Sequence, residues 1–196
     1  ASKVFCAVRP PGHHAERGRA MGFCFFNNIA IAAHHALANH GLERVAIADF
    51  DVHHCNGTED IFAGDDRILL CSTFQHPFYP HTGHDCRAAN VVNVPLAAGA
   101  DGAALRQAVE RHWPPRLASF APQLILISAG FDAHQADYMA QLNLVDVDYA
   151  WVTLRLCEQA DASAGGRVVS SLEGGYELQA LARSVEAHLK SFFGDS

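Results

Sequence analysis

The chain has 196 residues, of which 49% are hydrophobic and 18% charged, and its formal net charge is −7. This apolar content excludes intrinsic disorder, and the acidic balance offers no basic patch for direct nucleic-acid binding. No apolar run approaches the roughly 20 residues of a membrane-spanning helix, and no signal-peptide pattern opens the chain. We therefore expect one domain over residues 1–196, no membrane association and a cytoplasmic location.

Short apolar runs alternate along the chain with longer helix-like segments. The runs predict strands at residues 3–8, 44–48, 67–73, 91–94, 123–129 and 167–172. Helices are predicted at residues 27–40, 102–120, 146–164 and 178–193, and Pro114 with Pro115 should kink or break the second of them. Because the strands show little polar alternation, they suit a mostly parallel sheet buried between two layers of helices. The pattern predicts a three-layer α/β fold.

The residue types suited to catalysis follow these strands. Histidine is unusually frequent, with 13 copies, whereas the six cysteines form no C-x-x-C pair and are expected to be reduced. Histidines at 13 and 14 follow the first strand, residues 49–54 follow the second, Asp132 the fifth, and residues 173–176 the sixth. Ligands of open α/β sheets bind beyond the carboxyl ends of the strands, so we expect the active site at that edge.

The densest segment predicts a metal site. Asp51 and His53 are two residues apart and can reach one point if the segment is extended, and Asp132 leaves another strand at the same edge. Two carboxylates and an imidazole suit Zn²⁺ or a similar divalent ion and leave coordination positions open for a substrate. For Asp51 or His53 alone, a helix cap or a buried hydrogen bond stays the competing interpretation.

Two further segments are candidates for proton transfer and for stabilising an oxyanion. A turn rich in proline and glycine holds His13 and His14, and Asp49 and Asn56 could each orient one imidazole. Tyr176 follows two glycines and could direct its hydroxyl at a developing oxyanion. A surface histidine pair and a core tyrosine are the plainer alternatives. The chain has no G-x-S-x-G, P-loop or G-x-G-x-x-G motif.

Taken in order, these segments resemble the zinc-dependent histone deacetylase superfamily, which includes the acetylpolyamine amidohydrolases. The matching runs are RPPGHHA at 9–15, GFC at 22–24 with asparagines at 27 and 28, DFDVHH at 49–54, AGFD at 129–132 and EGGY at 173–176. The resemblance extends along nearly the whole chain. Asn56 stands where class I enzymes have aspartate, as in the class II branch and its bacterial relatives. An arginase/deacetylase-like fold is implied.

The resemblance also implies specific roles. Asp51, His53 and Asp132 would bind one Zn²⁺. His13, paired with Asp49, and His14, facing Asn56, would share acid and base duties, with His14 as the base. Tyr176 would bond the acyl oxygen. The remaining implied positions are the tunnel residues Phe23, Tyr79, Gly22 and Gly174, and the K⁺ or Na⁺ residues Asp49, Asp51, His53, Ser72 and Thr73.

The substrate implied is an acylated amine, either acetyl-lysine in a peptide or protein or an acetylpolyamine. The chain departs from the family at Cys55, where glycine is usual, and in its length, because it begins just before the histidine pair. We therefore expect the family's N-terminal part to be absent. A catalytically impaired fragment that binds metal or ligand is the alternative hypothesis, and an exposed sheet edge makes a homo-oligomer conceivable.

Overall fold

In the computed structural model, which describes residues 2–194, six parallel strands form one sheet flanked by five helices. The elements in chain order are β1 Lys3–Cys6, α1 Asn28–Asn39, β2 Val45–Asp49, α2 Asn56–Phe62, β3 Ile68–Gln75, β4 Val91–Leu96, α3 Gly102–Phe120, β5 Leu124–Ala129, α4 Asp146–Ser163, β6 Val168–Leu172 and α5 Leu178–Phe193. This is the α/β architecture predicted from the alternating pattern.

The strand order β1-β6-β5-β2-β3-β4 sets the position of the site. From β2 the chain adds β3 and β4 on one side, and it then crosses back to place β5 on the other side of β2. Loops leaving the ends of β2 and β5 therefore diverge and open a crevice, as at the switch points of other open α/β sheets. In this register Asp49 pairs with Ser72 on β3 and with Ser128 on β5.

Both faces of the sheet are buried, which explains the unbroken apolar runs of β2 and β3. Val45 and Ile47 face a core that includes α1 and the end of α2. Ala46 and Ala48 face the opposite core, which contains residues of α3, α4 and α5. Successive side chains of a strand point to opposite faces, so a helical layer on each side requires small or apolar residues throughout.

Helix α3 runs without interruption through its two prolines, so the predicted break is wrong. Pro114 and Pro115 remove hydrogen bonds to the carbonyls of Glu110 and Arg111, which lie on the exposed side of the helix where water can reach them. The buried Trp113 anchors the same turn against the core. Packing on one face therefore holds the helix where local propensity disfavours it.

Several predicted boundaries differ from the observed ones. Strand β1 ends at Cys6 rather than at residue 8, whereas β3 and β4 each extend two residues further than predicted. Helix α2 was not predicted, because it is only seven residues long and begins with buried Asn56, Gly57 and Thr58. All six cysteines, which lie within residues 2–194, are unpaired. None of the helices in this range is long and apolar enough to span a bilayer.

Candidate active site

The loops after β2 and β5 are joined by hydrogen bonds from backbone N–H groups to carboxylates. Asp49 Oδ1 accepts from the Asp51 N–H at 3.0 Å, and Asp51 Oδ1 accepts from the His53 N–H at 2.9 Å. These two short turns replace the extended conformation that the spacing predicts. Asp132 Oδ1 accepts from the Val52 N–H at 3.0 Å and so links residues 80 positions apart in the chain. The carboxylates thus stabilise the conformation of the loops in addition to lining the site.

The structure brings Asp51, His53 and Asp132 together as a possible metal-binding group. Their ligand atoms all lie within 4.8 Å of one another, and all three residues are buried. His53 Nδ1 is 3.0 Å from Asp51 Oδ1 and 3.1 Å from Asp132 Oδ2. One ring nitrogen carries at most one hydrogen and bonds to Asp51, which leaves Asp132 Oδ2 buried without a hydrogen-bond partner.

The electrostatics of this group fit a bound cation. Burial and the neighbouring Asp51 carboxylate raise the pKa of Asp132 to about 6. Two carboxylates in a buried space repel each other, and a divalent cation between them removes that repulsion. Oxygen and nitrogen donors on two loops of a rigid sheet also match what such ions require. The donor set therefore fits a metal ion.

The paired histidines lie beside this group with different partners. His13 Nδ1 is 3.0 Å from Asp49 Oδ2, whereas His14 Nδ1 is 2.7 Å from Asn56 Oδ1. The ring centroids of His13 and His14 are 4.1 Å apart, and that of His53 is 5.7 Å from that of His14. A histidine facing a carboxylate and one facing an amide have distinct proton affinities, so the pair is chemically asymmetric.

That asymmetry shows in the direction of each pKa. Burial opposes the charged form of His13, but Asp51, Asp49 and Glu173 outweigh it and raise the His13 pKa well above its ordinary value. Burial and the adjacent His13 lower the pKa of His14 to about 2. These shifts favour the protonated form of His13 and the neutral form of His14, so that one can donate a proton and the other can accept one.

The histidines, the metal-binding group and Tyr176 meet at a cavity of about 380 Å³. Its wall is largely apolar and aromatic, with a smaller number of polar groups. The lining residues are Pro11, His13, His14, Gly22, Phe23, Asp51, His53, Phe78, Tyr79, Met139, Gly174 and Tyr176. All four predicted tunnel residues are among them. Phe78, Met139 and Pro11 were not predicted, since isolated apolar residues in loops carry no distinguishing sequence signal.

Tyr176 faces this cavity as a hydrogen-bond donor. Its ring centroid is 6.2 Å from that of Phe23. Burial, followed by the carboxylates of Asp51 and Asp132, raises the pKa of the phenol above its ordinary value, so the hydroxyl keeps its proton. A protonated phenol among carboxylates can donate to an oxygen that acquires negative charge.

Two glycines are required where the backbone approaches the site most closely. A Cβ on Gly174 would lie 2.1 Å from Asp132 Oδ2 and 2.6 Å from Asp51 Oδ2, and the Gly174 N–H donates to that Asp51 oxygen at 2.8 Å. A Cβ on Gly22 would lie 2.1 Å from the His14 ring, and φ there is +55°. Both positions therefore exclude any larger side chain.

Ser72 and Thr73 are buried within β3, where Ser72 pairs with Asp49 on β2. Ser72 Oγ has no hydrogen-bond partner among residues 2–194. Of the five residues predicted for a monovalent cation, Asp49 and Ser72 are thus neighbours in the sheet, and the assignment of a cation to this set stays a prediction. Cys55, where glycine was expected, has a negative φ of −80°, so a side chain causes no backbone strain there. His54 contacts Thr82 and Glu59 and supports the 76–90 loop.

Two buried carboxylates with no predicted role complete the site. Glu173 Oε2 accepts from the N–H groups of Gly12 and His13 at 2.7 and 3.2 Å, and burial raises the pKa of Glu173 to about 7. Arg9 donates to the carbonyl of Glu173 at 2.7 Å. Asp137 holds the backbone at Tyr176. An acidic residue in a loop gives little sequence signal for either contact, because the partners are backbone groups.

The model of the histone deacetylase domain matches residues 1–192 of this chain. The chain belongs to the histone deacetylase family. Among its relatives are the chloroplastic histone deacetylase 10 of rice (Oryza sativa subsp. japonica), 44% identical over 97% of this chain and 44% of its own length, and the histone deacetylase-like amidohydrolase of Pseudomonas aeruginosa, 42% identical over 90% and 48%. This histone deacetylase domain thus spans about half the length of the curated relatives it matches.

The fold matches that of a solved family member. The crystal structure of the HDA15 HD domain aligns with a TM-score of 0.89 over 98% of this chain and 56% of that one, at 36% identity. The predicted family and α/β fold are therefore confirmed.

Proposed function

We propose that this histone deacetylase domain, residues 1–196, is a zinc-dependent amidohydrolase that removes an acetyl group from an amine. The observation that carries the proposal is the buried Asp51, His53 and Asp132 group beside two histidines and a tyrosine at one cavity. Membership of the family supports this reaction. The substrate class is an acylated amine on a flexible chain, either acetyl-lysine or an acetylpolyamine.

Asp51, His53 and Asp132 would hold the zinc ion. When bound, zinc supplies Lewis-acid polarisation of the acyl oxygen and lowers the pKa of water. Three protein ligands leave part of the coordination sphere open, which is typical of catalytic rather than structural sites. Asp49, Asp51, His53, Ser72 and Thr73 would hold a K⁺ or Na⁺ ion, and the unpartnered Ser72 hydroxyl and the adjacent Asp49 support that assignment.

The histidine pair moves the protons. His14 is neutral and takes a proton from the attacking water, while Asn56 fixes the orientation of its ring. His13 is charged because Asp49 and its neighbouring carboxylates stabilise the imidazolium. The pair returns one proton to the nitrogen of the departing amine as the amide C–N bond breaks. Water and amide thereby become a carboxylic acid and an amine, which exchange a proton to leave as a carboxylate and an ammonium ion, with no net change in the protein's protonation.

Tyr176 and the cavity wall select and stabilise the reacting group. The phenol donates a hydrogen bond to the acyl oxygen as negative charge develops on it. Phe23 and Tyr79 line the entrance and contact the alkyl chain of the substrate. A largely apolar wall with a few polar groups suits a substrate that is an aliphatic stem ending in an amide.

Turnover of an acetyl-lysine peptide and of an N-acetylpolyamine, with metal content measured on the same sample, tests the proposal. Chelation should abolish deacetylation and added Zn²⁺ should restore it. Asp132→Ala should lose both metal and turnover, whereas Asp66→Ala, at an exposed aspartate, should keep both. Full activity in metal-free protein, or a metal-loaded wild type that hydrolyses neither substrate, would refute the proposal.

A further inference from the structure

Asp137 is a buried carboxylate in the loop after β5, with only 6% of its surface exposed. Its Oδ2 accepts hydrogen bonds from the N–H groups of Tyr176 and Glu177 at 2.7 and 3.0 Å. Its Oδ1 accepts from the Met139 N–H at 2.9 Å. One side chain thus fixes the backbone at Tyr176 and, at Met139, the backbone of a residue of the cavity wall.

The phenol of Tyr176 depends on that backbone for its position. Among residues 2–194 its hydroxyl has no hydrogen-bond partner, and its ring packs against the largely exposed Phe23. Gly175, immediately before it, has a φ of +138°, a conformation open mainly to glycine and easily rearranged. The segment is held at Gly174 by Asp51 and again at Tyr176 by Asp137, so both anchors are needed to direct the tyrosine.

The loop that carries Asp137 is itself braced. The Asp137 N–H donates to the His134 carbonyl at 2.8 Å, and the Ala136 N–H donates to His134 Nδ1 at 3.0 Å. His134 Nε2 lies 3.3 Å from Asp146 Oδ1, at the start of α4. Through His134, Asp137 is therefore held in place against the start of helix α4.

Asp137 is not simply a cap for helix α5. The side chain of Glu177 already caps that helix by accepting from the N–H groups of Gln179 and Ala180. Asp137 binds the two residues that precede the helix. The contacts of Asp137 thus indicate that it orients the tyrosine rather than stabilises the helix.

We propose that Asp137 is a positioning residue for the reaction, holding the Tyr176 hydroxyl at the acyl oxygen through the Tyr176 backbone. This inference rests on the proposed deacetylase function. Two hydrogen bonds that backbone N–H groups donate to one carboxylate make a stiff link, and a displacement of about 1 Å at a reacting group can cost a factor of about 100 in rate. Asp137 itself touches no reacting atom.

Asp137→Ala is the informative variant, because alanine removes both acceptor oxygens and leaves the Tyr176, Glu177 and Met139 N–H groups without this partner. We expect kcat on the acetyl-lysine peptide to fall about 10- to 100-fold, with KM and bound metal nearly unchanged. Asp66→Ala is the matched control, since Asp66 is exposed. It should keep wild-type kinetics.

A double-mutant cycle with Tyr176→Phe separates positioning from general damage. If Asp137 acts through the Tyr176 hydroxyl, Asp137→Ala should cause little further loss once that hydroxyl is gone. Equal losses in both backgrounds, or a parallel loss of metal, would overturn the inference. If Asp137→Ala does not fold, as judged by circular dichroism, Asp137→Ser takes its place in the same cycle.

Hydrogen exchange gives a readout that does not depend on turnover. The Tyr176 and Glu177 amides should exchange at least about 10-fold faster in Asp137→Ala than in the wild type, while the β2 amides should not change. Unchanged exchange at these two amides would overturn the inference even if activity fell. A wild-type protein that is inactive with metal bound would instead refute the proposed function, and the exchange rates would still show whether Asp137 holds the segment.

Discussion

Replacing Gly174 by alanine should remove the metal site without unfolding the protein. The new Cβ would lie 2.1 Å from Asp132 Oδ2, whereas real Cβ atoms essentially never approach closer than 3.0 Å. The carboxylate would have to move by about 1 Å, and metal–ligand distances tolerate only about 0.2 Å. Asp51 cannot compensate, because its Oδ2 lies 2.6 Å from the same Cβ position.

We expect metal affinity to fall at least about 100-fold in Gly174→Ala, at the upper end of the losses caused by changes beside a ligand. Competition with a chelator of known affinity measures this, and thermal unfolding of the metal-free protein reports on the fold. Gly18→Ala is the matched control, because no atom lies within 4 Å of its Cβ position. A Gly174→Ala protein that binds metal as tightly as the wild type would refute the steric argument.

Three further predictions concern the tyrosine, the loop anchor and the buried core. Tyr176→Phe should keep its metal and lose about 100- to 1,000-fold in kcat, as measured with saturating peptide. Glu173→Ala should destabilise the protein to urea by about 1–3 kcal/mol for each backbone N–H left unpaired, whereas Glu173→Gln, which keeps an acceptor, should not. Burial lowers the pKa of His188 to about 4, below its ordinary value of 6.5. The contribution of neutral His188 to the free energy of unfolding is complete above pH 6.5. It decreases by about 3 kcal/mol as the pH falls towards 4. Urea unfolding across that range should show this loss in the wild type, and an equally steep loss in His188→Gln would contradict it.

The position of the site could be predicted from the sequence because it follows from a general rule. Asp51, His53 and Asp132 each come after a buried apolar strand, and the carboxyl ends of parallel strands share one edge. The alternating pattern also predicts the layers, since both faces of the sheet must be covered. These inferences needed only strand identity and direction, which apolar runs report well.

The features that could not be predicted depend on side-chain-to-backbone hydrogen bonds and on tertiary packing. The spacing of Asp51 and His53 predicts an extended segment, but side-chain-to-backbone hydrogen bonds fold it into turns. The role of Asp137 requires knowing that Tyr176 lies beside it, 39 residues later in the chain. Helix α3 continues through Pro114 because tertiary packing outweighs the low helix propensity of proline.

The hydrogen bond between the Val52 N–H and Asp132 links two loops that are 80 residues apart, and the metal-binding group spans the same separation. An unfolded chain does not hold these ligands together, so we expect a divalent cation to bind the assembled sheet almost exclusively. Binding then adds stability that grows with the logarithm of free metal, about 2.7 kcal/mol at 100 times the dissociation constant. We therefore expect metal supply to set both the rate of the proposed reaction and the fraction of the chain that is folded.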